Sequence, residues 1–245
     1  MVMYMKILLI VVLAILALIL LPFLFLFVCG LFVDTKKQYD RDSKFFRGLL
    51  DGSTTVILWC LGVRYNIIGE EKFPADGNFL FISNHRSNYD PIIQWTVFKR
   101  YKLSFISKKE NFRIPMYGRI IHRCCFMPID RQSPRKAMET VNRAAKLLTE
   151  TENSVGVYPE GKRSKECRLL PFHSGVLKVA QKAGKPIVVS TIEGTENIFR
   201  NIKRFRKTTV TIKILETIDA GRVKSEKTSE LSEYCAGLMK KELEP

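Results

Sequence analysis

In the stretch "FISNHRSNYDP" an apolar run is followed by a histidine, His85, and then by an aspartate, Asp90. An imidazole with one nitrogen held by a carboxylate has a fixed tautomer, and its other nitrogen is open to take a proton from a hydroxyl. No obvious serine or cysteine nucleophile lies nearby. The simplest chemistry for the pair is therefore general base catalysis, in which a substrate alcohol is deprotonated and attacks an activated acyl group directly. The bare spacing also admits a plainer arrangement, with Asp90 as a helix cap and His85 as a polar loop residue.

Two other segments carry chemistry of the same kind. "VYPEGKRS" ends an apolar run with Glu160, Gly161, Lys162 and Arg163. Gly161 permits a positive φ or a close backbone approach. Lys162 and Arg163 present charge where a phosphate could sit, the arginine as a bidentate fork. Glu160 could orient these cations or bind a substrate hydroxyl. "PIDR" ends another run with Asp130 and Arg131, the arginine being a second candidate phosphate ligand. Either segment could equally be a solvated turn. His122 and His173 are isolated and read as structural. There is no H-E-x-x-H, no cysteine–histidine cluster and no G-x-x-x-x-G-K-[ST] loop, so the motifs imply neither a metal nor nucleotide hydrolysis.

Taken together, these motifs resemble the glycerolipid acyltransferase family. "NHRSNYD" is similar to its N-H-x-S-x-x-D block, "FMPIDR" to its second block, "YPEGKRS" to its F-P-E-G-T-R-S block, and "KPIVVS" to its fourth. "SKKENFRIPMYG" resembles the stretch linking the first two, with Lys108, Pro115 and Gly118. The resemblance covers roughly residues 65–194. It implies His85 as base and Asp90 as its orienting partner. Within the implied substrate-binding set, Arg131, Glu160, Gly161 and Arg163 would surround a glycerol phosphate, with Lys162 adding a charge. Lys108 would also face the phosphate, and Asn84 and Ser87 would support the catalytic turn. The implied reaction moves a fatty acyl group from a thioester, acyl-CoA or acyl carrier protein, to 1-acyl-glycerol-3-phosphate. It needs no cofactor beyond that co-substrate. Alternatives are another lysolipid or glycerol 3-phosphate as acceptor, or a non-catalytic anchored protein that binds anionic lipid. Lys162 stands where the family usually has threonine, Tyr158 where it has phenylalanine, and Cys124 and Cys125 where a glycine is common.

Elements of the right type to hold these residues follow from patterning. Strands are predicted in "RYNIIGEE", "NFLFISN", "KLSFISK", "CCFMPIDR", "SVGVYPEG", "PIVVSTIEG" and "TTVTIKILETI". Pro128 suggests that "CCFMPIDR" is an edge strand. Helices are predicted in "DPIIQWTVFKR", with Asp90 as N-cap and Pro91 first, and in "IPMYGRIIHR". Two more are predicted in "SPRKAMETVNRAAKLLTE", capped by Ser133, and in "GVLKVAQKAGK", ended by Gly184; the last twenty or so residues also read as helical. Strands alternating with helices imply an α/β fold, a mixed and mostly parallel sheet flanked by helices, with ligands gathering at the carboxyl ends of strands.

The chain has 245 residues and a formal net charge of +16. Such a balance points to an anionic partner. The N-terminus narrows the choice to a membrane rather than nucleic acid. Ile7 to Val33 carries no charged residue and is too long for a secretory signal, which predicts a retained anchor. Pro22 would kink it or turn it back as a hairpin. Lys6 precedes it, whereas Lys36, Lys37, Arg41, Lys44 and Arg47 follow, which favours a cytoplasmic main domain. The expected organisation is an anchor over residues 1–33, an interfacial helical stretch over 34–62 and a catalytic domain over 63–245. "RNIKRFRK", from Arg200 to Lys207, holds a cluster of cations that could touch anionic lipid, touch the phosphates of an acyl carrier, or be a solvated loop. The six cysteines form no C-x-x-C pair and read as reduced packing residues.

Overall fold

The computed structural model describes residues 2–75, 77–164 and 166–244. A 30-residue helix, α1 (Val2–Leu31), leads into α2 (Lys44–Cys60). Then follow β1 (Val63–Ile68), β2 (Leu80–Ser83), α3 (Tyr89–Val97), β3 (Ser104–Lys108), α4 (Tyr117–Arg123), β4 (Met127–Ile129) and α5 (Pro134–Glu150). The chain continues through β5 (Val155–Val157), α6 (Lys178–Ala183), β6 (Ile187–Glu193), α7 (Ile198–Ile202) and β7 (Thr208–Ile218). It ends in α8 (Ala220–Ser225) and α9 (Thr228–Leu243).

The strands form one seven-stranded sheet in the order β1-β7-β6-β2-β5-β3-β4. From β6 to β4 all neighbours are parallel; β7 runs antiparallel to β6, and β1 is parallel to β7. This is the mixed, mostly parallel sheet expected from the patterning. β4, with Pro128, is an edge strand, where a missing N–H costs no ladder bond.

Successive strand residues point to opposite faces. Phe79 and Phe81 therefore enter one core with Leu50 and Leu58 of α2, Ile93 and Trp95 of α3 and Ile120 of α4. Leu80 and Ile82 enter the other, with Val141 and Leu148 of α5, Val179 of α6 and Leu231 and Met239 of α9. A sheet covered on both faces explains why "FLFI" is apolar without alternation.

The residues before β1 differ from expectation in two ways. α1 runs through Pro22 as a single helix, so there is no hairpin. The stretch from Asp34 onward is not helical until Lys44. Residues 34–43 are instead strapped to the domain: Lys37 O meets His122 Nε2 at 2.8 Å, Tyr39 O accepts from Arg143, and Arg41 O accepts from Arg123. These partners are distant in sequence, and local propensity carries no trace of them.

α2 is fixed by a buried arginine. Arg47 donates to Asp42 Oδ2 (2.6 Å), Leu103 O (2.9 Å), Ser104 Oγ (3.0 Å) and Cys124 O (3.1 Å). It thus closes the amino-terminal ends of β3 and β4 onto α2. Removing the arginine leaves the Asp42 charge without its counter-ion and the Leu103 carbonyl without this donor, while the Cys124 carbonyl keeps Ser104 Oγ at 2.8 Å. Arg47→Ala is expected to destabilise the protein by about 3–5 kcal/mol. The check is the midpoint of thermal unfolding in detergent, with exposed Lys44→Ala as an unaffected control.

Candidate active site

Five strands, β6, β2, β5, β3 and β4, point their carboxyl ends the same way. The turns leaving them carry the site residues expected from the sequence. β2 delivers Asn84 and His85, β5 delivers Glu160 to Arg163, β3 ends at Lys108, and β4 leads to Asp130 and Arg131.

His85 Nδ1 lies 2.7 Å from Asp90 Oδ2. The Asp90 side chain is fully buried, whereas the His85 ring is 18% exposed. Oδ2 also accepts the backbone N–H groups of Arg86 and Ser87, both at 2.7 Å. Oδ1 accepts from Thr195 Oγ1. Asp90 is therefore not the N-cap expected from the sequence. α3 starts at Tyr89, one residue earlier, and the carboxylate lies inside its first turn, where the helix dipole favours a negative charge. The reason is that the turn wraps its own N–H groups around Asp90 rather than around a cap. Held this way, Nδ1 carries the proton shared with Asp90. Nε2 is left without a partner among the described residues.

The ring itself is clamped. It stacks on Tyr158 with centroids 4.1 Å apart and planes 12° from parallel, and Tyr158 stacks in turn on Phe105. Phe105 can lie there because position 156 is glycine: a Cβ would sit 2.4 Å from its ring. Tyr158 Oη donates to Gln94 Oε1 (2.6 Å), and Gln94 donates to Ser83 Oγ (2.9 Å). The backbone of His85 is held at both ends, its N–H by Glu160 Oε1 (2.6 Å) and its carbonyl by Ser164 N–H (2.8 Å).

The remaining sequence-predicted residues fall into two groups. Asn84 and Glu160 anchor the turn, with their polar atoms buried and bonded within the protein. Asn84 bonds both the N–H (2.7 Å) and the carbonyl (3.0 Å) of Ile192 on β6. Glu160 does not touch the cations beside it; its second oxygen accepts from Leu170 N–H at 2.9 Å. Burial pushes the Glu160 carboxyl up to about 7, partly offset by its two backbone donors. Ser87 Oγ accepts from Tyr89 N–H within the catalytic turn. Lys108, Arg131, Lys162 and Arg163 form the second group. All are exposed, and among the described residues none is paired with a carboxylate. Asp130, by contrast, is engaged by Lys109 at 3.3 Å. Gly161 has φ +69°, and its missing Cβ leaves room for the His173 ring, which would lie 2.9 Å from it.

Sequence reasoning missed Thr195, buried just after β6, and Arg86. Arg86 joins three turns by donating to Glu193 Oε1 (3.1 Å) and Cys167 O (3.3 Å) from within the His85 loop. An arginine inside the first motif was the available signal for the second; no local signal marks Thr195.

The sequence model of the acyltransferase family matches residues 64–212. The chain belongs to the glycerolipid acyltransferase family. This acyltransferase is 29% identical over 178 residues to a 1-acyl-sn-glycerol-3-phosphate acyltransferase of Salmonella typhimurium, covering 71% of the chain and 72% of the relative. It is 30% identical over 190 residues to one of Haemophilus influenzae, covering 74% and 78%, and 31% identical over 196 residues to one of Cocos nucifera, covering 78% and 62%. Its fold is similar to the crystal structure of a 1-acyl-sn-glycerophosphate (LPA) acyltransferase from Thermotoga maritima. The TM-score is 0.66 at 24% identity, over 90% of this chain and 86% of that one.

Two outcomes follow for the acyltransferase. Thr195→Val removes a hydrogen bond to a buried carboxylate, worth about 1.5–3 kcal/mol, and should lower kcat roughly tenfold to a hundredfold with KM little changed. Thr195→Ser should restore most of it in a steady-state assay. Glu160 has its folded-state pKa raised from 4.5 to about 7, so its contribution to stability is full below about pH 4.5 and is lost as pH rises through about 7. Thermal unfolding in detergent should therefore fall between about pH 5 and pH 8, and Glu160→Gln should flatten that slope.

Proposed function

We propose that this acyltransferase transfers a fatty acyl group from an acyl thioester to the sn-2 hydroxyl of 1-acyl-sn-glycerol-3-phosphate, forming phosphatidic acid. The observation that carries the reading is the His85–Asp90 pair, with Nε2 open, set among the unpaired cations Lys108, Arg131, Lys162 and Arg163. A phosphate on the acceptor suits such a rim, and a free hydroxyl suits the open imidazole nitrogen. The named relatives supply the acceptor class.

The step balances without a covalent enzyme intermediate. Nε2 takes the hydroxyl proton as the oxygen attacks the thioester carbonyl carbon. The tetrahedral centre collapses with cleavage of the C–S bond. His85 returns the proton to the departing thiolate, leaving an ester and a free thiol. The cations hold the acceptor phosphate, so that much of the rate comes from orientation. Acyl-CoA and acyl carrier protein are both thioester donors of the required kind.

The acceptor and the product are bilayer lipids, which gives α1 its role. At 1.5 Å per residue its 30 residues extend about 45 Å, more than the roughly 30 Å of a hydrocarbon core. Its side chains are exposed along nearly its whole length. On this reading α1 is a membrane anchor, residues 34–62 tie it to the catalytic domain, and the cations after it place that domain on the cytoplasmic side. The net charge suits an anionic membrane surface.

The experiment is thioester consumption by the full-length protein in detergent with acyl-CoA and 1-acyl-glycerol-3-phosphate, with acyl carrier protein as alternative donor. Folded His85→Ala should lose ~100- to 10,000-fold in turnover, the range of a positioned general base. Unchanged turnover in that variant would sink the mechanism. Preference for glycerol 3-phosphate over the lysolipid would reassign the acceptor.

A further inference from the structure

The segment from Phe199 to Lys207 takes no part in the site described above. It comprises the end of α7 and a tight turn. Arg200, Lys203, Arg204, Arg206 and Lys207 are all exposed, and among the described residues none makes an ion pair. The nearest acid in sequence, Glu196, is bonded by Asn197. Two aromatic rings stand among these cations. Phe199 is 62% exposed, with Lys203 Nζ 4.4 Å from its centroid, and Phe205 is fully exposed.

The turn is built rather than loose. Arg204 and Arg206 N–H both bond Asn201 O, and Phe205 N–H bonds Ile202 O. Phe205 sits at φ +53°, a left-handed conformation unfavourable for a phenylalanine. In water the ring gains nothing for that strain, since nothing packs on it.

Strand pairing shows where this element lies. β7 runs antiparallel to β6 with Thr211 opposite Glu193, so Thr208 lies beyond the carboxyl end of β6, the end that carries His85. β1 starts opposite it, Val63 facing Thr208. α2 therefore finishes at the same end, and Gly62 O accepts Thr208 N–H at 3.1 Å. Gly62 lies against Lys207, and Trp59, 78% exposed, stands one turn before it, with its carbonyl bonded by Gly62 N–H. The last turn of α1 reaches this end too. Gly30 packs against Met116, just before α4, in the segment that leaves the carboxyl end of β3 through a short 3-10 helix at Lys109–Arg113.

From this placement we propose that Phe199–Lys207, together with Trp59, is a second membrane contact that docks the active-site end of the sheet onto an anionic bilayer surface. Aromatic rings among unpaired cations fit the headgroup boundary, where rings enter the interface and lysine and arginine meet lipid phosphates. A single anchor leaves the domain free to tilt about the end of α1. A second contact across the sheet end fixes the His85 turn toward the lipid. Only this last consequence rests on the acyl-transfer reading, and the test reads lipid contact rather than turnover.

Full-length protein carrying Trp59→Phe and Phe205→Trp is reconstituted into vesicles of phosphatidylcholine, with or without phosphatidylglycerol, using brominated acyl chains as quenchers. The remaining native indole, Trp95, is 3% exposed and gives a constant background. The introduced indole should shift to the blue and be quenched when phosphatidylglycerol is present. Adding Arg204→Glu and Arg206→Glu should abolish both changes while the protein stays in the vesicle through α1. Unshifted, unquenched emission in both vesicle types overturns the proposal, and so does quenching that ignores phosphatidylglycerol. A response that appears only on adding an acidic acyl carrier protein also overturns it, because the surface then belongs to a protein partner.

Discussion

The arrangement at the carboxyl end of the sheet depends on one buried charge, the carboxylate of Asp90. Burying an ion costs several kcal/mol unless its lone pairs are used. Here two backbone N–H groups, the imidazole and Thr195 Oγ1 use them. Those four donors come from the turn after β2 and the turn after β6, so satisfying the charge also joins the two turns. Asn84 repeats the connection by bonding both backbone atoms of Ile192. The His85 ring direction is a consequence of this closure, and the stack on Tyr158 and Phe105 prevents the ring from leaving it.

The acidic residues divide by environment. Asp90 is surrounded by donors, whereas Glu160 is buried with two backbone donors and is pushed up to about 7. Neither reaches the cations at the rim. This separation matters for binding a phosphate. A carboxylate paired with Arg131 or Arg163 would compete with the ligand, and the structure keeps both arginines free of one among the described residues. The carboxylates shape the turns from below and the cations face outward.

Much of this is legible in the sequence, for physical reasons that differ by element. Strand β7 and helix α5 are readable because their patterning is local: alternation in "TTVTIKI", and a Ser133–Pro134 start before a long apolar stripe. His85 and Asp90 are readable because both lie in one turn. Thr195 is invisible because it meets Asp90 across 105 residues, through the pairing of β6 with β2. Residues 34–43 are misread as helix for the same reason, since side-chain nitrogens of His122 and Arg123 on α4 and Arg143 on α5 take their carbonyls and override local preference. One of the roles expected for Glu160, orienting the cations Lys162 and Arg163, is not what the structure shows. The chain reverses at Gly161, with φ +69°, and sends the carboxylate inward and the cations outward.

The topology also explains why a soluble-looking sheet can serve a lipid. In a parallel array every strand delivers its following turn to one end, and so the His85, Glu160, Lys108 and Arg131 turns lie side by side. β1 and β7 run the other way and therefore bring to that same end the segments that precede them, the end of α2 and the basic turn after α7. Reversal of two strands thus gathers reactive turns, the apolar helix ends and the unpaired cations on one surface. An all-parallel sheet would send α2 and the basic turn to the opposite end. The antiparallel β6–β7 pair is the feature that brings the His85 turn and the basic turn to one surface.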